Sequence, residues 1–447
     1  MSTTTPTTPT TPTTLALRTG LDRSLAWNAG GSVRYLVADL TAVGAPAANV
    51  TPPAINLALA IDVSGSMAGD KIAAARDTAS AVTRALTARD RLTIVAFNHE
   101  ASLLLDARTM DDAGQREALS AIARLESDGN TDLWQGWLLA GEHVATAMRD
   151  SAKASHRVLL LSDGQANEGL VDSRELAHHA AEALARGIIT SAVGIGDDYD
   201  EAVLGAMTEA GGGRLHDAEH AEEISEVVLG ELLEGRSALL ERVALRIVVP
   251  ANVRAEVVGS WSHTVVPGAI DVMVGTLLPL TPKRVVLRLH CPSGKAGTRI
   301  PLAATARGLL PEGTGSVDAD PCDVELRLAL ARANSSQQRD TDRSVAAFAA
   351  WQADAMRRTV NLNREGDRRG AKHYLSRELR WMEPYARDLP GAEPLLAEMV
   401  LLLRRADEEM DARFGKALYM GSTQRMRGES DLRSAPRLSV SEVLRRT

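Results

Sequence analysis

The stretch Ala54–Asp70, AINLALAIDVSGSMAGD, constrains this chain more than any other. Its apolar part, Ile55 to Ile61, has the length of a strand buried on both faces, the habit of parallel strands covered by helices. The run stops at a carboxylate, and Asp62, Ser64 and Ser66 follow one another with only Val63 and Gly65 between them. A tight turn can aim all three oxygen side chains at one spot, and that spot suits a cation. Asp70 to Ala88 then carries Ile72, Ala75, Ala79, Val82 and Leu86 on one helical face. Strand, oxygen-rich loop and helix in that order open a doubly wound, mostly parallel α/β sheet, where ligands gather at the carboxyl edge of the strands.

The remaining sequence divides around this unit. At 447 residues the chain exceeds one core, and about 150 residues per domain predicts two to four units. Residues 1–14 are a Thr/Pro leader expected to be disordered. Residues 15–53 alternate in the manner of strands, as in SVRYLVADL, and 54–235 alternate strand and helix. The helical period vanishes over 236–321, which reads as a β-sandwich completed by the strands of 15–53, so that the α/β unit is an insertion. Residues 322–420 read as a helical region, its first helix at Asp323 to Asn334, and 421–447 as a flexible basic tail.

Composition excludes several classes. A net charge of -8 argues against nucleic acid as the main partner. Cys291 and Cys322 are too few for a disulfide framework and have no metal-ligand spacing, which suits two free thiols in a reducing compartment. The leader lacks the charged start and apolar core of a signal peptide, and no run approaches the roughly 20 residues that cross a bilayer. The expectation is a cytoplasmic chain without a membrane partner. No G-x-x-x-x-G-K-[ST] is present for phosphate, and Val63-Ser64-Gly65 does not make a hydrolase elbow around Ser64.

Two later loops belong with the first. Gly129-Asn130-Thr131-Asp132 directly precedes the helix beginning at Leu133, and Ser162-Asp163-Gly164 directly follows the buried strand Arg157 to Leu161. Each residue alone has a plainer use: Ser66, Asp62 or Thr131 as a helix cap, Asp163 as a turn former. Five such residues in order, each at a strand or helix junction, are hard to explain as five separate caps. The set Asp62-x-Ser64-x-Ser66, Thr131 and Asp163-Gly164 resembles the metal-ion-dependent adhesion site of von Willebrand factor A domains, and LALAIDVSGSM, GNTDLWQGW and VLLLSDGQANEG keep that family's order.

The resemblance covers Ile55 to about Gly235 and implies function as well as fold. Asp62, Ser64, Ser66, Thr131 and Asp163 would hold Mg²⁺, with Mn²⁺ or Ca²⁺ as substitutes, because hydroxyls and carboxylates are hard oxygen donors. Ser64, Ser66 and Thr131 would touch the ion, and Asp62 and Asp163 would act largely through water. Neutral hydroxyls leave the ion positive charge to spare, so a partner's acidic side chain can complete the shell. The implied protein is a non-enzymatic binding module or scaffold, like bacterial cytoplasmic proteins that carry this domain and like inter-alpha-trypsin inhibitor heavy chains. Such proteins often work beside a MoxR-type AAA+ ATPase, a chelatase motor or a Ser/Thr kinase and phosphatase pair. The competing reading is a Mg²⁺-dependent hydrolase or phosphotransferase using the same site, for which Asp132 and Asp163 are the available bases.

Overall fold

The computed structural model describes residues 12–44, 53–150, 154–196, 199–218, 230, 237–311, 315–410 and 412–427. Strands β1 (Thr14–Leu21), β2 (Leu25–Trp27) and β3 (Val33–Val43) come first. A six-stranded sheet follows, formed by β4 (Ile55–Asp62), β5 (Arg91–Phe97), β6 (Ala101–Thr109), β7 (Ser155–Ser162), β8 (Ile188–Ile195) and β9 (Gly212–Ala218). Its order is β6-β5-β4-β7-β8-β9, parallel except where β6 runs against β5. Helices α1 (Asp70–Ala85), α2 (Asp112–Ala123), α3 (Leu133–Ala147), α4 (Ser173–Ala185) and α5 (Glu201–Ala210) connect the strands.

Every residue of β4 is buried, and alternation assigns its side chains to two cores. Leu57, Leu59 and Ile61 pack with Ile72, Ala79 and Val82 of α1 and with Ile122 of α2. Ala58 and Ala60 face the other way, where Trp137 and Val144 of α3 and Leu176 of α4 gather. With β5 and β7 as its neighbours, β4 is the central strand, so Asp62 leaves the sheet at the middle of its carboxyl edge.

The chain then builds the partner architecture of the first three strands. Strands β10 (Leu240–Val248), β11 (Arg254–Val258), β12 (His263–Val266), β13 (Ala269–Leu277), β14 (Lys283–His290), β15 (Arg299–Leu309), β16 (Ser316–Asp318) and β17 (Cys322–Ala329) complete two sheets. One runs β1-β3-β14-β11 and the other β12-β13-β10-β15-β17-β2, with β16 on β15. The α/β unit is therefore inserted between β3 and β10 of a sandwich. Strand β3 explains why SVRYLVADL is apolar on both faces. Leu36, Ala38 and Leu40 enter the sandwich core, while Tyr35 and Val37 meet a helical layer on the outside.

After the short α6 (Ala331–Ser336), that layer consists of α7 (Thr341–Arg364), α8 (Arg368–Ala386), α9 (Ala392–Arg405) and α10 (Ala412–Arg427). Phe348, Trp351 and Met356 of α7 press on Tyr35, Val258 and Val286. The layer also touches the α/β unit. Arg357 of α7 pairs with Glu209 at the end of α5 at 2.7 Å, and Thr423 of α10 donates to the same carboxylate at 3.3 Å.

Two expectations are corrected. The helix expected at Asp323 to Asn334 is instead strand β17 followed by the short α6, so the sandwich runs past 321 and the helical region begins later than 322. The cause is a period of two: Leu326 and Leu328 enter the core while Asp323, Glu325 and Arg327 face solvent. Charged residues between apolar ones fit either period over so short a run. Residues 421–427, expected as flexible tail, complete α10, where Arg425 pairs with Glu398 at 2.6 Å. The leader before residue 12, the closing helix expected over 221–234 and the tail beyond 427 lie outside the described residues, Gly230 excepted.

Candidate metal centre

Asp62 is fully buried, and both its oxygens are engaged by neutral donors. Its Oδ1 accepts the Ser64 N–H at 2.9 Å, and its Oδ2 accepts the Ser162 hydroxyl at 2.6 Å. The Ser162 oxygen in turn accepts the Gly164 N–H at 2.8 Å. The Ser64 and Ser66 hydroxyls lie 3.1 Å apart, Ser64 buried and Ser66 open to solvent.

Backbone bonds stitch the three loops together. Gly65 N–H donates to Gly129 O and Asp128 N–H to Val63 O, each at 2.8 Å, which joins the first loop to the segment leading to Thr131. Thr131 is buried, and its N–H donates to Asn167 Oδ1 at 2.9 Å. Its carbonyl accepts the N–H groups of Asn167 at 3.2 Å and Glu168 at 3.1 Å, which joins this segment to the loop that follows Asp163. The Asp163 carbonyl accepts the Asp200 N–H at 2.9 Å. Gly164 has φ +65°, and a Cβ there would lie 3.0 Å from the Leu204 side chain and 3.2 Å from Asp200 O, so the close approach needs glycine. Gly65 does not use a positive φ. It serves by lying close, since a Cβ would sit 3.3 Å from Gly129 O.

The electrostatics are one-sided. Burial pushes the Asp62 carboxyl above its ordinary range, hydrogen bonds from Ser162 and Ser64 hold it down in part, and the like charge of Asp163 raises it further. Asp163, also fully buried, accepts the Lys71 ammonium on Oδ2 at 3.1 Å. Among the described residues no group of three or more His, Cys, Asp or Glu side chains is placed to hold a metal. A metal at this edge would therefore depend on the hydroxyls beside the two carboxylates. The donor set is all oxygen, which suits Mg²⁺, Mn²⁺ or Ca²⁺ and gives Zn²⁺ no softer ligand.

Ser162, Lys71 and Asn167 are the contributors that motif reading passed over. Ser162 directly precedes Asp163 in S-D-G, and that adjacency is the one signal that marks it. The bases suggested for a hydrolase have other work: Asp132 caps α3 by accepting the Gln135 N–H at 3.0 Å, and Asp163 holds Lys71. Trp137 belongs to the core and donates to Thr190 Oγ1 at 3.1 Å, whereas Trp134 is half-buried with its ring 4.5 Å from that of His179.

A sheet of this order with three loops joined at its carboxyl edge defines an α/β domain of the doubly wound kind. Residues 56–228 match the von Willebrand factor type A domain, and the chain carries such a domain. Domains of this type are commonly protein-interaction modules. An uncharacterized Synechocystis protein, sll0103, is 28% identical over 169 residues, 38% of this chain and 39% of that protein. Human inter-alpha-trypsin inhibitor heavy chain H4 is 26% identical over 210 residues, 45% of this chain and 22% of its own length. The chain thus spans about two fifths or less of these relatives. A solved von Willebrand factor type A structure from Catenulispora acidiphila superposes with a TM-score of 0.65 at 16% identity, covering 89% of this chain and 91% of that one. That likeness extends the shared fold beyond the α/β unit to the sandwich and helices. No helix among the described residues is long and apolar enough to cross a membrane.

Proposed function

We propose that this chain is a divalent-metal-dependent protein-binding module rather than an enzyme, with Asp62, Ser64, Ser66, Thr131 and Asp163 as the residues that hold the ion. The observation that carries this reading is the pair of fully buried carboxylates, Asp62 and Asp163, that three joined loops bring to one sheet edge, with one of them meeting an ammonium and the other only neutral donors. Leaving such charge in the interior is costly, and a divalent cation offsets it. Ser64 and Ser66 supply neutral oxygens beside the carboxylates, so a bound Mg²⁺ or Mn²⁺ keeps positive charge. The solvent-open side, at Ser66, is where an acidic side chain from a protein partner reaches it. The helical layer holds the domain through α5, and it and the sandwich add surface for larger assemblies.

Affinity capture from native lysate tests this. Partners are expected to be retained with Mg²⁺ and lost with EDTA, and the Ser64→Ala/Ser66→Ala double variant is expected to lose them in either condition. The AAA+ ATPase and Ser/Thr kinase or phosphatase classes are sought among the captured proteins. Identical capture by wild type and double variant, with and without chelator, contradicts a metal-dependent site. Mg²⁺-dependent phosphoester turnover that disappears in Asp62→Ala contradicts the non-enzymatic role.

A further inference from the structure

Lys71 is the second residue of α1, the helix that begins where the Ser64–Ser66 loop ends. Its side chain is 21% exposed, yet it turns inward to Asp163 at 3.1 Å. A lysine left to itself at the start of a helix extends into water, and the positive end of the helix dipole disfavours a cation there. Two fully buried carboxylates repay that placement. Asp62 and Asp163 repel one another, and the oxygens of Asp62 are met by the Ser64 amide and the Ser162 hydroxyl, donors that carry no net charge. The ammonium thus occupies the place in the charge balance that a metal would take.

We infer that Lys71 is the built-in cation of this centre, a positioning residue whose charge trades affinity for the metal against affinity for an anionic partner. This inference rests on the metal-binding reading given above. With the metal absent, the ammonium holds the Ser162–Gly164 loop against α1. Two carboxylates and a divalent ion would sum to zero, whereas Lys71 raises the loaded centre to one net positive charge. That surplus weakens retention of the bare ion and strengthens attraction for a partner's carboxylate. Loading then becomes coupled to partner binding, since the anion offsets the charge that Lys71 adds.

Two variants separate charge from shape. Lys71→Met keeps the length and removes the charge, and Lys71→Arg keeps the charge. Calorimetric titration with Mn²⁺ alone is expected to show Lys71→Met binding at least tenfold more tightly than wild type, with Lys71→Arg within about threefold of wild type, because a unit charge a few Å from the ion is weakly screened in a buried site. In EDTA, Lys71→Met is expected to melt several degrees below wild type and to recover with saturating Mn²⁺. A purely structural lysine would lower stability without tightening metal binding. Equal or weaker Mn²⁺ binding by Lys71→Met overturns the inference while leaving the metal site in place. Mn²⁺ uptake by Lys71→Met but not by wild type upholds the ammonium as the competing cation and overturns metal dependence of the native chain. Uptake by neither overturns both.

Discussion

Two of the places where this chain buries acids are met in opposite ways. In the helical layer, Glu398 is 3% exposed and is gripped by both terminal nitrogens of Arg425, at 2.6 and 3.0 Å, and by Gln352 Nε2 at 3.1 Å. At the α/β sheet edge, Asp62 and Asp163 are 0% exposed, and Asp163 meets the Lys71 ammonium while Asp62 meets only neutral donors. The first arrangement is complete within the protein and fastens α10 to α7 and α9. The second leaves negative charge unbalanced, which a structural role does not require and a cation site does. At these two places, completeness of charge pairing separates a contact that holds helices together from the site proposed to bind a cation.

The largest effect is expected where the pairing is complete. Arg425→Met leaves Glu398 buried without its cation and is expected to cost about 3–5 kcal/mol of stability, read from the midpoint of urea unfolding. Adding Glu398→Met should return a substantial part of that loss, since an apolar pair of similar volume avoids the buried charge. If the single variant is as stable as wild type, the helical layer is not held by this pair and the comparison collapses.

A buried base gives a pH-dependent check on the same principle. His156 is 6% exposed at the amino end of β7, its Nδ1 lies 3.1 Å from Asn56 Nδ2, and burial pushes its pKa down to about 4. The folded value lies below the unfolded one near 6.5, so the unfolded chain binds more protons in between. Stability from this group is therefore fully present above about pH 6.5 and is lost as pH falls toward 4. The loss approaches about 3 kcal/mol, since each tenfold change in proton affinity is worth about 1.4 kcal/mol. Urea midpoints measured across that window should slope steeply in wild type and flatten in His156→Leu. Equal slopes would mean that the ring takes its proton without unfolding.

At the sheet edge the sign reverses. Asp62→Asn removes one of two repelling charges while keeping an oxygen for the Ser64 N–H, so in EDTA it is expected to be about 1 kcal/mol more stable than wild type. Glu398→Gln, the same change in the paired setting, should be less stable than wild type. Thermal melts of the two side by side test the contrast, and destabilisation of both by equal amounts removes it. Smallest of all, Ser66→Ala should move stability by no more than about 0.5 kcal/mol, because the residue is exposed. Its Mn²⁺ affinity, read by calorimetry, should nonetheless fall.

Much of the α/β unit was legible because its signals are local. The β4 run and the oxygen-bearing residues after it are contiguous, and the other two loops announce themselves by directly flanking a helix and a buried strand. Pairing of 14–43 with strands beyond 240 was legible from strands that had no neighbour in the α/β unit. Strand β17 was not, because D-V-E-L-R-L satisfies a helical period as well as a period of two, and its partner Arg299–Leu309 decides between them. Nor was the last turn of α10, since Arg425 reads as one more basic residue until Glu398, 27 positions earlier, is beside it. Lys71 was hidden for the same reason, and Ser162 was marked only by its place before Asp163. Each acts on a carboxylate from a distant loop, 92 and 100 positions away in sequence, and no spacing rule connects them.

The central claim is that the charge left unbalanced at the carboxyl edge of β4 is a place for a divalent ion. Calorimetric titration of the chelator-treated protein with Mg²⁺ tests it most directly, alongside Asp62→Ala and Ser64→Ala. Wild type is predicted to take up one ion per chain, with the heat of binding gone from both variants. An absence of binding in wild type, or unchanged binding in the variants, would contradict the account.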